Sequence, residues 1–154
     1  MKLYRIVKTK HLGSAWSGFG AEQYGGRWNH PGYAAIYAAT SISLAMLEML
    51  VHLQKSQLLE NYVTLAIEIP DLQITTLEIS SLSNGWNSYP APDETMDIGD
   101  SWLESYSSAC LLVPSVIVPT EYNALLNPRH HELITCIQSV EIKPLSFDQR
   151  FLSD

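Results

Sequence analysis

The sequence has few of the features that mark common classes of enzyme and secreted protein. Only two of its 154 residues are cysteines, Cys110 and Cys136, too few for a disulfide framework and typical of free thiols in a reducing compartment. No GxGxxG or GxxxxGK[ST] segment occurs, so neither a dinucleotide-binding Rossmann unit nor a P-loop is indicated. The histidines and cysteines lack zinc-ligand spacing, and no GxSxG segment presents a serine nucleophile. The sequence therefore predicts no metal site.

Long apolar runs and an excess of positive charge are also missing. The longest apolar stretch, residues 44–53, contains Glu48 and His52 and is too short to span a bilayer. The first residues lack the apolar run of about 7–15 residues that a secretory signal needs. A net charge of −7 argues against general nucleic-acid binding. We expect a soluble cytoplasmic protein that contacts neither membrane nor nucleic acid directly.

The charge that is present is unevenly distributed. Residues 1–60 hold six Lys/Arg and three Asp/Glu, whereas residues 61–154 hold three and thirteen. The basic first part could favour a phosphate-bearing ligand, and the acidic remainder could favour a basic partner. Ordinary solubility charge explains the same distribution, and the sequence leaves both interpretations open.

The apolar pattern predicts one mixed α+β domain with about six short strands and two helices. Strands are expected at 3–7, 33–39, 62–69, 111–118 and 133–142, with an extended partner at 72–79. Helices are expected at 42–54 and from Thr95 or Asp97 to about 108, and loops at 80–92 and 120–131. Pro114 interrupts its strand and indicates an edge or a bulge, which would re-aim Ser115.

Three chemically distinct side chains lie in the stretch from residue 25 to residue 52. Arg27 follows a glycine pair, Tyr37 lies in a run of small residues, and Glu48 is the only carboxylate of an apolar helix. A cation, a flat ring and an anion suit an anionic substrate that develops positive charge as it reacts. On a helix, Glu48 shares a narrow polar stripe with Ser41, His52 and Lys55, which faces either water or a cleft. Helix geometry alone does not separate the two.

Two positions are also open for the side chain of Arg5 in the first predicted strand. Its charge either lies on the solvent face of the strand or is a second cation that points into a cleft.

Taken in order, short segments of the chain resemble the RES-domain family, the toxin half of bacterial RES–Xre toxin–antitoxin pairs. The resemblance extends over nearly the whole chain, so residues 1–154 would form a single RES domain. The matching segments are 3–6, 25–29, 37–39, 44–52, 99–102, 114–115, 127–128 and 148–150. The arginine, glutamate and serine that give the family its name match Arg27, Glu48 and Ser115, and Tyr37 matches the family's active-site tyrosine.

The resemblance implies a fold and a reaction. The expected fold is ADP-ribosyltransferase-like, similar to diphtheria-type toxins, with a mixed β-sheet core and flanking helices. NAD+ would be the substrate and no separate cofactor would be needed. Glu48 would stabilise the cationic ribose, Arg27 would pair with the pyrophosphate, Tyr37 would stack on the nicotinamide or ribose, and Ser115 would contact the substrate or orient Glu48. Arg5 and Asn127 are further candidates for phosphate or ribose contacts.

Three functions remain open at this point. The first is a growth-inhibiting toxin that degrades NAD+, with water or phosphate as the acceptor, and that an Xre-type helix-turn-helix antitoxin holds inactive in a hetero-oligomer. A homo-oligomer is also expected. The second is a protein ADP-ribosyltransferase, and the third is a catalytically silent module that binds a basic partner.

Overall fold

A seven-stranded mixed sheet organises the computed structural model, which describes residues 1–54, 57 and 61–152. The strands are β1 Lys2–Lys8, β2 Ile36–Ala39, β3 Tyr62–Glu68, β4 Ile74–Thr76, β5 Cys110–Pro114, β6 Tyr122–Leu126 and β7 Glu141–Leu145. Their order across the sheet is β4-β5-β6-β2-β1-β3-β7, and every pair is antiparallel except β4 with β5. The predicted mixed α+β class is confirmed.

Within the described residues, four α-helices accompany the sheet: α1 Phe19–Tyr24, α2 Ile42–Leu50, α3 Asp93–Ser105 and α4 His131–Ile137. Short 3-10 helices lie at Thr9–Ser14, Asp71–Gln73, Ile79–Ser81 and Gln149–Leu152. No helix of the described ranges has both the length and the apolar character needed to span a membrane.

The central strands are buried on both faces, because successive side chains point to opposite sides of a sheet. Leu112 belongs to the cluster that packs against α4 through Leu133. Its neighbours Leu111 and Val113 belong to a second cluster that contains Trp102 of α3. The two helices therefore cover opposite faces of the sheet, and β5 lies between two apolar layers.

Two predicted segments are wrong in type. Residues 120–131, expected to form a loop, contain the central strand β6, and residues 133–142, expected to form a strand, hold most of α4 and the start of β7. The imidazole of His130 accepts a hydrogen bond from the Glu132 backbone N–H and so caps α4. Packing of Leu133 into the core then outweighs the strand preference of β-branched Ile134 and Thr135.

Other boundaries differ by a few residues. Helix α2 ends at Leu50 rather than at residue 54, β2 begins at Ile36 rather than at residue 33, and α3 begins at Asp93. The extended segment 72–79 contains only the short strand β4, which pairs with β5. Pro114 ends β5 instead of interrupting it.

Candidate functional site

The sheet splits between two neighbouring interior strands, β1 and β2. Strand β1 pairs with β3 along its entire length, and β2 pairs in the same way with β6. Between β1 and β2 only one pair forms, Tyr4 with Ala39, although both strands continue beyond it. Past that point the Arg5 Nη1 donates to the Tyr37 carbonyl oxygen, which has no strand partner on that side. The guanidinium thus bridges the split.

A cavity of about 160 Å³ lies at this split. Its walls come from β1, β2, α2 and β6, and the lining residues are Tyr4, Arg5, Ile6, Tyr37, Ala38, Ala39, Ala45, Glu48 and Asn123. The small side chains of β2 and α2 leave the space open, as the alanine-rich sequence of this region indicated. Glu48 therefore faces a cavity, and the alternative that its stripe simply faces water is wrong for this residue. His52 of the same stripe is exposed, and Lys55 lies outside the described residues.

Two hydrogen bonds hold the Glu48 carboxylate at the cavity. Ser115 Oγ donates to Glu48 Oε1 at 2.8 Å, and Asn123 Nδ2 donates to the same oxygen at 2.5 Å. Ser41 fixes the start of the helix that carries Glu48, because its side chain accepts from the Leu44 backbone N–H at 3.0 Å. In the described part of the chain, Glu48 Oε2 has no hydrogen-bond partner, so this oxygen is available to a ligand.

Ser115 does not line the cavity and contacts Glu48 from outside it. Its side chain is fully buried, and its oxygen accepts hydrogen bonds from the backbone N–H groups of Ile117 and Val118, each at 3.1 Å. Because both lone pairs are used, the hydroxyl proton is left to donate to Glu48. Of the two roles expected for Ser115, the geometry favours the one that orients Glu48.

Arg5 is the second charged group of the cavity. Burial lowers the pKa of its guanidinium to about 10. No carboxylate among the described residues pairs with it, and its buried Nε has no hydrogen-bond partner there. A buried cation without a counter-ion is unfavourable unless an anion binds. Of the two positions considered for Arg5, the structure shows the one inside the cleft.

Tyr37 contributes its ring to the cavity, because its hydroxyl is already bonded. The hydroxyl donates to Asn29 Oδ1 at 2.7 Å and accepts from the Trp28 backbone N–H at 3.0 Å. Burial raises the pKa of the Tyr37 phenol, so this group stays neutral. The fully buried Asn29 is itself fixed, since its Nδ2 donates to the carbonyl oxygens of Ala21, His30 and Tyr33. Tyr37 is therefore held as a rigid aromatic wall.

Arg27 is close to the cavity without lining it. Its Nη1 donates to the Trp86 carbonyl at 2.8 Å and its Nη2 to the Ser88 carbonyl at 2.9 Å, so the guanidinium anchors the loop 82–92. Partial burial lowers the pKa of Arg27, while the negative charge of Glu48 acts in the opposite direction. Arg27 is thus within electrostatic range of Glu48, but its main visible contacts are to a loop.

Asn127 is not among the residues that line the cavity. Its side chain is buried, with Nδ2 donating to the Leu103 carbonyl and Oδ1 accepting from the Arg129 backbone N–H. Both ends of the amide are used in a turn, and Asn127 is absent from the cavity lining. The expectation that Asn127 contacts phosphate or ribose has no support in this geometry.

Asn123 is the site residue that the sequence interpretation missed. It is the second residue of β6, which was expected to be a loop, so its side chain had no predicted direction. A usable signal was present: an asparagine beside the apolar run Ala124, Leu125 and Leu126 is unfavourable in a central strand unless its amide has a partner.

Comparison with known proteins places the chain in a family. The family model described as RES domain matches residues 2–148. This chain belongs to the RES family. A protein of Yersinia enterocolitica named Toxin Res is 56% identical over 150 residues, which cover 97% of this chain and 99% of that protein. A Sphingobium protein named Prs ADP-ribosylating toxin is 40% identical over 139 residues, 88% of this chain and 86% of that protein.

A solved structure shows the same fold. The crystal structure of the M. tuberculosis MbcT–MbcA toxin–antitoxin complex contains a chain that matches with a TM-score of 0.73 at 22% identity. The match covers 94% of this chain and 84% of the other. The RES family recognised from short segments is confirmed, and the curated relatives identify this chain as a RES toxin.

Proposed function

We propose that this RES toxin cleaves the bond between nicotinamide and ribose in NAD+, with water or phosphate as the acceptor. The observation that carries the proposal is the Glu48 carboxylate, which two donors hold at the cavity with Oε2 free. Arg5 lies at the same cavity as a cation that has no carboxylate partner among the described residues. The cavity thus offers a negative group for a developing cation and a positive group for a phosphate.

The size of the cavity limits how the substrate would bind. A volume of about 160 Å³ is below the roughly 300–1,000 Å³ of pockets that enclose whole ligands. The cavity would therefore enclose one end of NAD+, the nicotinamide and its ribose, and leave the adenosine outside. Tyr37 would stack on the enclosed end. Arg5 would contact the adjoining phosphate, as would Arg27 through the N–H groups that the loop does not use.

The bond that breaks joins the ribose C1′ to the pyridinium nitrogen. Its electron pair leaves with nicotinamide, which departs neutral, so no strong general acid is required. The ribose becomes an oxocarbenium-like cation, which the Glu48 carboxylate would stabilise while it holds a ribose hydroxyl. Water or phosphate then bonds to C1′; in the case of water, one proton is released.

The test is nicotinamide release from NAD+ by the purified chain, free of any antitoxin and of any protein acceptor. We expect turnover by the wild type and a loss of about 10²–10³-fold in Glu48→Gln, because the charge is removed while the shape is kept. The exposed Glu78 provides the matched control, and Glu78→Gln should retain wild-type turnover. A folded Glu48→Gln variant with near-normal turnover would contradict the role of Glu48.

A second candidate is transfer of ADP-ribose to a protein, which the name of the Sphingobium relative supports. The same assay separates the two. Release of nicotinamide only when a target protein is added, together with a mass increase of that protein, would identify a transferase.

We further propose that an Xre-type antitoxin binds this chain and holds it inactive. The support is that the structure with the same fold comes from a toxin–antitoxin complex. We expect the adjacent reading frame to encode a small helix-turn-helix protein, and co-expression with that protein should restore growth and yield a complex in which NAD+ is not consumed.

A further inference from the structure

Asn123 occupies a position where a polar side chain is unfavourable for the fold alone. It lies in β6 between Ala39 of β2 and Val113 of β5, in the interior of the sheet. Its Oδ1 is buried and has no hydrogen-bond partner among the described residues. A buried acceptor without a partner destabilises a protein, so an apolar side chain would serve the fold better here.

The other end of the Asn123 amide explains why the residue is there. Nδ2 donates to Glu48 Oε1, the oxygen that also accepts from Ser115 Oγ. The amide has only one workable orientation, because the reverse would bring its oxygen against the carboxylate oxygen. Two donors from different strand ends thus converge on one oxygen of Glu48.

This convergence determines how the carboxylate is presented. Two hydrogen bonds to Oε1 fix the Glu48 rotamer. Among the described residues Oε2 has no hydrogen-bond partner, and Glu48 lines the cavity together with Tyr37 and Asn123. Ser115 approaches from outside the cavity, whereas Asn123 holds Glu48 from within it.

We propose that Asn123 is a positioning residue of the active site: its amide, together with the Ser115 hydroxyl, holds the Glu48 carboxylate in one rotamer, with Oε2 directed at the ribose of the substrate. The inference rests on the proposed NAD+ cleavage for its kinetic consequences and on geometry for the contact itself.

Asn123→Asp tests the proposal because it places a second carboxyl group at hydrogen-bond distance from Glu48. Two such groups share one proton, as paired carboxylates do. With that proton in place, the introduced carboxyl group can donate to Glu48 as the amide does. Once the proton is lost, two like charges face each other and the Glu48 rotamer is no longer held. The variant should therefore be most active at low pH and lose activity as the pH rises.

The measurement is the pH profile of nicotinamide release between about pH 5 and pH 9. We expect the profile of Asn123→Asp to move to lower pH by about one unit or more relative to the wild type. Gln138 lies at the end of α4, on an exposed surface, and Gln138→Glu makes the same amide-to-carboxylate change there. This control should keep the wild-type profile.

Asn123→Ala removes the donor without adding charge and covers the case in which Asn123→Asp does not fold. Loss of a hydrogen bond to a charged group should lower kcat by about 10- to 100-fold. The KM should change little, because substrate contacts are kept and the defect lies in the transition state. An unchanged kcat in folded Asn123→Ala would overturn the proposal.

A second readout does not depend on activity. In Asn123→Asp the shared proton is bound more tightly in the folded than in the unfolded chain, so stability must fall as the pH rises through that titration. Adding Glu48→Gln removes the charge repulsion, and the double variant should lose this pH dependence. If the single and double variants show the same dependence, Asn123 does not act on Glu48 and the proposal fails.

The two readouts separate the failure of this inference from that of the proposed function. A wild type that does not cleave NAD+ refutes the function, and the stability comparison still decides the contact. An active wild type whose Asn123→Asp profile matches its own refutes the inference alone.

Discussion

At the scale of single residues, the cavity combines groups that burial would normally disfavour. The Arg5 guanidinium has no carboxylate partner in the described part of the chain, and the Asn123 amide leaves its oxygen unpaired. Each such group destabilises the fold. An anionic ligand would satisfy the first, and the hydrogen bond that the same amide donates to Glu48 accounts for the second, so function explains both groups more readily than stability does.

How far sequence alone identifies a site residue depends on what fixes its side chain. Glu48 was recognisable because a lone carboxylate in an apolar helix needs a reason, and Ser115 because the residues around it match a family motif. Asn123 was not, because its role depends on the pairing of β6 with β2, which joins residues far apart in sequence. Arg27 matches the family motif as well, but its bonds to loop 82–92 depend on a loop path that no local pattern encodes.

His30 provides a pH prediction at this scale. Its Nδ1 lies 2.6 Å from Asp100 Oδ2, and this contact raises the pKa of the His30 imidazole. A raised folded-state pKa stabilises the fold below the ordinary histidine value of about 6.5 and loses the effect as the pH rises through the folded value. The wild type should therefore melt above His30→Gln at pH 6, and the gap should close towards pH 9.

Melting curves of the two proteins across this pH range measure the effect. The backbone N–H of His30 also donates to Asp100 Oδ1, and this bond survives the substitution. A gap that stays constant with pH would show that the imidazole contributes by packing and not by its charge.

At the scale of elements, local signals were sufficient where a segment has one clear period. Alternation identified β1 and β3, and two cap candidates, Thr40 and Ser41, indicated the start of α2, where Ser41 is the cap. Local signals were insufficient for β6 and α4, which are five and seven residues long. In such short segments the contacts with the rest of the molecule determine the conformation, and propensity gives little information.

The loop 82–92 has two aromatic residues in opposite situations. Trp86 is buried and packs against Trp28 at a ring distance of 6.2 Å, whereas Tyr89 is 94% exposed. Trp86 therefore fixes one part of the loop to the body, and the two hydrogen bonds from Arg27 fix the adjoining backbone. The rest of the loop, including Tyr89, remains accessible beside the site.

Arg27→Ala should release this loop. We expect faster amide hydrogen exchange at residues 83–89 and several-fold faster chymotrypsin cleavage after the buried Trp86, because two carbonyl groups lose their donors. Arg27→Lys, which can donate to one carbonyl at a time, should give an intermediate result. Arg129 has only one long ion pair, 3.9 Å to Glu22, and is 63% exposed, so Arg129→Ala is the matched control. If amide hydrogen exchange in loop 82–92 is the same in Arg27→Ala as in the wild type, Arg27 does not anchor the loop.

At the scale of the whole molecule, the split between β1 and β2 divides the sheet into two parts. On one side β1, β3 and β7 form a continuous ladder, and on the other β2, β6, β5 and β4 form a second. The two sides meet at one strand pair, at the Arg5 bridge and through α2, which contacts both β1 and β2. The cavity lies at this junction, so a ligand there contacts both parts of the sheet at once.

A ligand that bridges the two parts should stabilise the whole fold. Glu48→Gln is the form to use, because it should bind NAD+ without consuming it. At about 100 times its dissociation constant, NAD+ would add about 2.7 kcal/mol of stability. For a chain of this length, that corresponds to a rise in Tm of about 5–10 °C.

Introducing Arg5→Met into the Glu48→Gln variant isolates the contribution of the Arg5 guanidinium, which bridges β1 and β2. The substitution keeps an apolar side chain in the split but removes the cation, so the same NAD+ concentration should raise Tm by a much smaller amount. Each shift is measured against the same variant without ligand, which removes any effect of Arg5 on stability itself. A full shift in the Arg5→Met variant would show that the phosphate binds elsewhere, and no shift in either folded variant would show that the split in the sheet is not the NAD+ site.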